Sequence, residues 1–382
     1  MSEAKTKSKA LQEFTEAAET IVNPEVKKWK DEGGKIVGYF CSAVPEEIIT
    51  AAGFLPFRMR ATGSTSTELS DAYFSSTNCS FPRHCFNLAL SGEFAFLDGV
   101  ICVNSCDNIR RIYDNWKRQL PDTFLQIMSL PRKTEEPQVS WYRDELANLK
   151  KNMEKHFGVK ITGKRLKEAI KLHNETRRLQ RNLYELRKKK NPPISGAETL
   201  AVTVAGTAMP KEQYNVLLTK LLDNLRSSEG ISNYRARLLL MGGILDDPAY
   251  IKVIEGQGGL VVTDSLCLGS RILWVDVDEE AEESLTALAR YYVQKRPSCP
   301  RTFGDYERRI SFVKDMIRDF SVDGVILERL AFCDHWGFEQ STIEKDLRES
   351  NIPCLILDRE YILSGVGQLR TRVQAFLETL GG

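Results

Sequence analysis

The sequence predicts an α/β protein in which two similar domains, each a parallel sheet flanked by helices, are joined by a helical segment. Three observations indicate this fold. Short apolar runs alternate with helix signals, the second half repeats the order of the first, and the stretch between them has apolar residues at helical spacing. We divide the chain into an N-terminal helix (1–33), a first α/β domain (34–139), a helical segment (140–232) and a second α/β domain (233–382).

The first half contains four predicted strands after a charged stretch, about residues 8–31, that predicts one helix. The apolar run 35–40 is typical of a buried parallel strand. Pro45, Glu46 and Glu47 then begin a helix, since proline and acids favour the first helical turn, and Gly53 ends it. The remaining predicted strands cover 54–57, 97–103 and 123–127, with a helix at 109–116.

The second half repeats these elements in the same order. The run 237–243 predicts a strand, Asp246, Asp247 and Pro248 a helix start, and 256–262 a turn followed by a strand. The tetrapeptide Asp-Gly-Val-Ile stands at 98–101 and again at 323–326, and Cys-Asp follows at 106–107 and at 333–334. A last strand is expected over 352–358. Several matched elements in one order predict two domains of similar topology.

The helical segment carries one basic run, Arg-Lys-Lys-Lys at 187–190, just before Pro192 and Pro193. Such a run is typical of a solvated helix face, and a phosphate or partner patch is the alternative. We expect the solvated face.

Composition excludes several classes of function. Lys and Arg number 53 and Asp and Glu 52, so the net charge of +1 disfavours nucleic-acid binding as the main activity. No apolar stretch reaches the ~18 residues of a membrane span. The mixed-charge start, 1–7, lacks the apolar core of a secretion signal, so we expect a cytoplasmic protein.

Nine cysteines against four histidines is the unusual feature of the composition. Thiols stay reduced in the cytosol, and an odd number cannot all pair. In open α/β sheets, ligands bind beyond the carboxyl ends of the strands, and Cys106 and Cys333 follow such ends in corresponding loops. Four more cysteines lie in loops or at strand ends: Cys41, Cys79, Cys267 and Cys299. Cys102 and Cys354 are expected in the core, and Cys85 is undecided.

The spacing of the thiols limits their chemistry. Structural zinc sites use paired Cys-x2-Cys or Cys/His sets, and this sequence has none. Soft thiolates far apart in sequence suit an iron–sulfur cluster. Two alternatives stay open: packed core thiols, and a nucleophilic cysteine with a histidine base.

Five motifs follow one another along the chain. They are the segment 38–56, the tetrapeptide Asn78-Cys79-Ser80-Phe81, the tripeptides Ser105-Cys106-Asp107 and Phe332-Cys333-Asp334, and the run 367–376. Together they resemble the 2-hydroxyacyl-CoA dehydratase/benzoyl-CoA reductase family, and the resemblance extends from about residue 34 to the C-terminus.

The resemblance implies that Cys79, Cys106 and Cys333 hold a 4Fe–4S cluster between the two domains, with one iron open or bound by a non-protein ligand. It implies two partners: a homologous subunit or second copy, and an ATP-hydrolysing iron–sulfur activator that delivers single low-potential electrons. In benzoyl-CoA reductases the electrons enter an aromatic ring. In dehydratases an electron enters the thioester carbonyl and the ketyl radical expels the hydroxyl, with the open iron as Lewis acid. Neither reaction needs a protein nucleophile, so no catalytic side chain is assigned.

Three cysteines depart from the dehydratase pattern: Cys41, Cys267 and Cys299. They are candidates for additional ligands, as in a double-cubane cluster of a small-molecule reductase of the same superfamily, or they are packed thiols near the site. Cys41 favours benzoyl-CoA reductase-like reduction over dehydration. A non-catalytic electron-carrier subunit is a further alternative.

Other motifs receive structural interpretations. Glu46 and Glu47 match the acids of a helix N-terminus. Arg370 and Arg372 either bind coenzyme A phosphates or hold the last helix to the core. The glycines at 256–259 lack the Rossmann pattern and predict no dinucleotide site.

Overall fold

The computed structural model describes residues 9–381 and contains two four-stranded parallel sheets. The first sheet has the order β2-β1-β3-β4 and the second the order β6-β5-β7-β8, so the two halves share one topology. The predicted α/β fold with two similar sheets is confirmed. The strands are β1 (Ile36–Tyr39), β2 (Leu55–Arg58), β3 (Gly99–Val103), β4 (Phe124–Met128), β5 (Ala236–Gly242), β6 (Gly259–Ser265), β7 (Gly324–Leu330) and β8 (Cys354–Arg359).

The first half differs from prediction at its start. The single helix expected over residues 8–31 is two helices, because Asn23 caps the second one by accepting hydrogen bonds from the Glu25 and Val26 amides at 3.0 and 2.9 Å. Residues 1–8, including the mixed-charge start, and Gly382 lie outside the described residues. The helices of this half are α1 (Lys9–Glu19), α2 (Pro24–Asp31), α3 (Glu46–Ala51), α4 (Ser80–Leu90) and α5 (Asp107–Gln119).

Four helices follow the first sheet: α6 (Glu136–Phe157), α7 (Gly163–Leu186), α8 (Gly196–Ala205) and α9 (Lys211–Arg226). The expectation of a solvated helix face at 187–190 is confirmed only in part: Lys189 and Lys190 are exposed, but the run is not helical, because α7 ends at Leu186. Arg187 is 1% exposed and donates to the Val261 carbonyl at 2.6 Å, so the first charge of the run anchors the segment to β6.

The second half contains α10 (Pro248–Glu255), α11 (Ser284–Arg290), α12 (Tyr306–Asp319), α13 (Asp334–Glu349) and α14 (Val366–Leu380). A single π-helical turn, Tyr291–Lys295, continues α11. Short 3₁₀ turns follow β2 and β6 at corresponding places, Ser70–Ala72 and Ser270–Ile272. The internal repeat therefore extends to these connections.

The two halves meet at the carboxyl ends of their strands. Tyr361, which follows β8, accepts a hydrogen bond from the Ala61 amide at 2.8 Å and donates its own amide to Ser80 at 2.9 Å. An apolar cluster around Phe40, Phe57 and Phe81 also includes Leu330 and Tyr361 from the second half. This packing places the loops after the strands of both sheets opposite one another. Among the described residues, none of the helices has both the length and the apolar character of a membrane span.

Candidate functional site

Six cysteines line one cavity between the carboxyl ends of the two sheets. They are the six that the sequence placed in loops or at strand ends: Cys41, Cys79, Cys106, Cys267, Cys299 and Cys333. The cavity has a volume of ≈ 120 Å³. Cys102 and Cys354 lie in strands β3 and β8, and Cys85 is fully buried in α4; none of the three lines the cavity.

The internal repeat explains how the thiols converge. Cys106 and Cys333 each stand three residues beyond a central strand and directly before a helix, α5 and α13. Cys79 directly precedes α4, and Cys299 lies in the corresponding connection of the second half, between β6 and α12. Three helix N-termini therefore begin at the cavity wall, and such termini favour negative charge.

Burial keeps the metal-free thiols of Cys79, Cys106 and Cys333 protonated. Burial raises the pKa of Cys79 to about 11 and that of Cys106 to about 12, and burial also raises the pKa of Cys333. Neighbouring thiols add to this effect: Cys79 raises the pKa of both Cys106 and Cys333. Because metals bind thiolates, loading the site must release protons, and its affinity must rise with pH.

The three additional candidate ligands interact electrostatically with the first three. Burial raises the pKa of Cys299, and the thiols of Cys267 and Cys41 raise it further. Cys41 and Cys299 in turn raise the pKa of Cys106. The two sets of three cysteines therefore form one group of interacting thiols.

Cys41 has a strained backbone. Its φ is +75°, a left-handed conformation that L side chains rarely adopt. By its register with the central strand, the matching position of the second half is Gly242, the last residue of β5. Strain of this kind persists where the surrounding structure imposes it and is concentrated at functional sites.

This strain predicts the order of stability of two variants. In the metal-free chain we expect Cys41→Gly to have a free energy of unfolding about 1 kcal/mol above that of Cys41→Ser, because glycine adopts φ +75° without the steric cost. Urea unfolding followed by circular dichroism measures the difference. Equal stability of the two variants would show that position 41 is unstrained.

Three buried arginines also surround the cavity: Arg58, Arg271 and Arg301, which are 4%, 5% and 7% exposed. Arg58 and Arg301 line it, and Arg271 lowers the pKa of Cys299. Arg301 donates to the Ser105, Pro131 and Leu130 carbonyls, and Arg271 donates to the Gly242 and Ser265 carbonyls.

Within residues 9–381, none of the three arginines forms an ion pair, and Nε and Nη1 of Arg58 have no hydrogen-bond partner. Burying unpaired cations is costly, so the cavity is suited to an anionic guest. Sequence reasoning missed these residues, although Arg58 ends β2 and Arg301 follows Cys299 by two positions, which is the signal that identified the cysteines.

The donor set fits an iron–sulfur cluster better than a single metal ion. Among the described residues, no three His, Cys, Asp or Glu side chains are placed to hold one ion together. In a cluster each thiolate takes a different iron, so its ligands are spread around a cavity, as these are. Cys79, Cys106 and Cys333 would hold the cluster that the resemblance implies, and Cys41, Cys267 and Cys299 are available to a larger one.

His335 also lines the cavity, which the sequence did not indicate. Its Nε2 lies 2.8 Å from the Ser105 carbonyl oxygen, so this nitrogen donates and His335 ties the second half to the first. Burial lowers its pKa, which favours the neutral ring.

A second, polar chamber adjoins the cavity, since Arg58 and Cys267 line both. Glu46 accepts hydrogen bonds there from Lys211 at 2.7 Å and from Tyr39 at 2.5 Å. Burial alone would raise the pKa of Glu46, but Lys211 and His173 outweigh it and hold the pKa at about 2. Both acids at the start of α3 are ion-paired, Glu46 with Lys211 and Glu47 with Arg177.

His173 in this chamber predicts an acid-sensitive stability. Burial lowers its pKa to about 4, so the unfolded chain binds the proton more readily, and stability falls as pH drops from about 6.5 to about 4. Between pH 7 and pH 5 this effect costs about 2 kcal/mol. We expect His173→Gln to lose about that much less stability over this interval, measured by urea unfolding at both pH values. Parallel losses in the two proteins would contradict the assignment.

The arginines of the last helix differ from the cavity arginines. Arg372 is exposed and donates to the Ile356 carbonyl of β8 at 2.7 Å, which holds α14 to the sheet. Arg370 is exposed as well.

Comparisons with known proteins identify the family of the chain. The sequence profile described as "2-hydroxyglutaryl-CoA dehydratase, D-component" matches residues 41–380. The chain is 28% identical to a benzoyl-CoA reductase subunit of Thauera aromatica over 86% of this chain and 87% of that protein. It is 25% identical to the (R)-phenyllactyl-CoA dehydratase beta subunit of Clostridium sporogenes, over 96% and 98% of the two chains. It is 29% identical to the putative dehydratase subunit YjiM of Escherichia coli, over 96% and 97%. The chain therefore belongs to the 2-hydroxyglutaryl-CoA dehydratase D-component family, whose members include subunits of CoA-thioester reductases and dehydratases.

Proposed function

We propose that this chain is the iron–sulfur subunit of an ATP-dependent enzyme that reduces a CoA thioester by single low-potential electrons, in the manner of benzoyl-CoA reductases. One observation carries the proposal: cysteines far apart in sequence converge on one cavity at the carboxyl ends of two sheets. Cys79, Cys106 and Cys333 are the proposed ligands of a 4Fe–4S cluster. When bound, such a cluster supplies reversible one-electron transfer and an open iron that polarises a substrate oxygen.

The residues of the chain have three tasks in this function. The apolar residues around Phe81, Ile109 and Leu330 limit the access of water, which helps to keep electrons from side reactions. The helices that begin after Cys79, Cys106 and Cys333 direct their positive ends toward the cavity. The buried arginines offset the negative charge of a thiolate-bound cluster.

Reduction is preferred to dehydration because Cys41, which departs from the dehydratase pattern, lies on the cavity wall. The relatives include subunits of both kinds of enzyme, and dehydration of a 2-hydroxyacyl-CoA is the alternative within the same site. The test is to incubate the purified protein, its activator and ATP with benzoyl-CoA or with a 2-hydroxyacyl-CoA. Turnover of only the 2-hydroxyacyl thioester would reverse the preference.

Two protein partners belong to the proposal. The relatives are named as single subunits of their enzymes, which supports a multi-subunit enzyme built with a homologous subunit or a second copy. The second partner is an ATP-hydrolysing iron–sulfur activator, because the proposed reaction needs electrons at low potential.

Anaerobic purification followed by iron and sulfide analysis tests the cofactor. We expect about four irons per chain with matching sulfide. A folded chain that holds no iron after reconstitution would overturn the proposal.

A larger cluster is the second candidate, because all six loop cysteines line one cavity. A double-cubane cluster would use Cys41, Cys267 and Cys299 in addition to the first three, and would suit a reductase of small molecules. It requires about eight irons per chain. The triple serine variant at 41, 267 and 299 separates the two: unchanged iron excludes the larger cluster, whereas loss of about half supports it.

A further inference from the structure

Arg58 places a positive charge in the wall of the cysteine cavity. Arg58 is the last residue of β2 and is held at its backbone, where its amide donates to the Thr207 carbonyl at 2.9 Å. Its guanidinium lies 5.4 Å from the centroid of the Tyr39 ring. The side chain lines both the cavity and the polar chamber beside it. These contacts fix a cation between the two spaces.

Arg58 differs from the other arginines around the cavity in what it binds. Arg301 and Arg271 use their N–H groups to hold backbone carbonyls in place. For Arg58 no such structural task is found within residues 9–381, since its Nε and Nη1 have no partner. Burying a guanidinium whose Nε and Nη1 lack hydrogen-bond partners costs free energy, and a negative charge in the cavity would offset that cost.

We propose that Arg58 raises the reduction potential of the group bound in the cysteine cavity, through its unpaired positive charge. This inference rests on the proposed function. Reduction adds one electron to the bound group without making or breaking a bond in the chain, and the added negative charge is stabilised by a neighbouring cation. In a poorly solvated interior this stabilisation is screened much less than in water. Arg58 thus acts through its charge and does not ligate the cluster.

Anaerobic redox titration of the iron-loaded protein, with dithionite as reductant and viologen mediators, tests the inference by the EPR signal of the reduced state. We expect Arg58→Gln to lower the equilibrium constant for one-electron reduction at least tenfold, a midpoint shift of about 59 mV to more negative potential. Arg58→Lys keeps the charge and should stay near the wild-type midpoint. Arg226→Gln, which removes an exposed arginine from α9, controls for net charge and should leave the midpoint unchanged.

The outcomes separate this inference from the proposed function. A wild-type chain without iron fails the proposed function, whereas iron-loaded variants that all share one midpoint overturn only the role of Arg58. A shift in Arg58→Lys as large as in Arg58→Gln also overturns it, since the charge is then irrelevant. Arg58→Gln could fail to take up iron. In that case, an Arg58→Lys variant with normal iron content and a normal midpoint supports the role of the positive charge. Failure of both variants to take up iron contradicts that role.

Discussion

Replacing Cys106 with serine is expected to remove most of the iron from the reconstituted protein. Cys106 directly precedes α5 and interacts electrostatically with Cys79, Cys41 and Cys299, so it lies at the centre of the thiol group. A serine hydroxyl is a poor ligand for iron in a cluster that soft thiolates hold. Iron and sulfide analysis after anaerobic reconstitution measures the loss, and circular dichroism checks that the variant is folded.

The matched control is Cys354→Ser. Cys354 is also a half-buried cysteine, but it begins β8 and does not line the cavity. It should retain the full iron content. If Cys354→Ser loses as much iron as Cys106→Ser, general destabilisation explains the effect and the ligand assignment of Cys106 is wrong.

The largest effect on stability is expected from Glu47→Gln. Glu47 is fully buried, binds Arg177 and accepts a hydrogen bond from Tyr292 at 2.9 Å. Removing its charge leaves the buried guanidinium of Arg177 without its counterion, which costs about 3–5 kcal/mol. Urea unfolding at pH 7 measures the decrease, and heat denaturation should show a correspondingly lower midpoint.

An exposed ion pair provides the control for this prediction. Glu168→Gln breaks the pair with Lys164, whose side chains are 61% and 86% exposed, and should change the free energy of unfolding by less than about 1 kcal/mol. A small effect of Glu47→Gln, similar to that of Glu168→Gln, would mean that water or the Tyr291 hydroxyl compensates Arg177.

Much of the fold follows from local sequence signals. Local signals predict the strands to within about four residues, because buried parallel strands are continuous apolar runs and the helix starts carry proline and acids. The predictions of helix boundaries fail where the contacts of a single side chain determine the path of the backbone. Asn23 ends one helix and caps the next, and Arg187 leaves the helix to reach Val261. Charge pattern alone does not show such contacts.

The site is only partly visible in the sequence for a different reason. A thiol just past a strand end can be recognised, because strand ends follow from local pattern and ligands bind beyond them. The depressed pKa of Glu46 cannot be recognised, because it depends on Lys211, which is 165 residues away in the chain. The unpartnered Nε and Nη1 of Arg58 cannot be recognised either, because they depend on which groups pack around this side chain.

By itself, the sequence determined that the two parallel sheets share one topology, and it separated six loop or strand-end cysteines from Cys102 and Cys354, because these features depend on strand, helix and loop signals within each half. Only the tertiary structure decided that Cys41, Cys267 and Cys299 join Cys79, Cys106 and Cys333 around one cavity with buried arginines in its wall. Packing of the two halves against each other sets those distances, and it buries the charges whose energies depend on that burial.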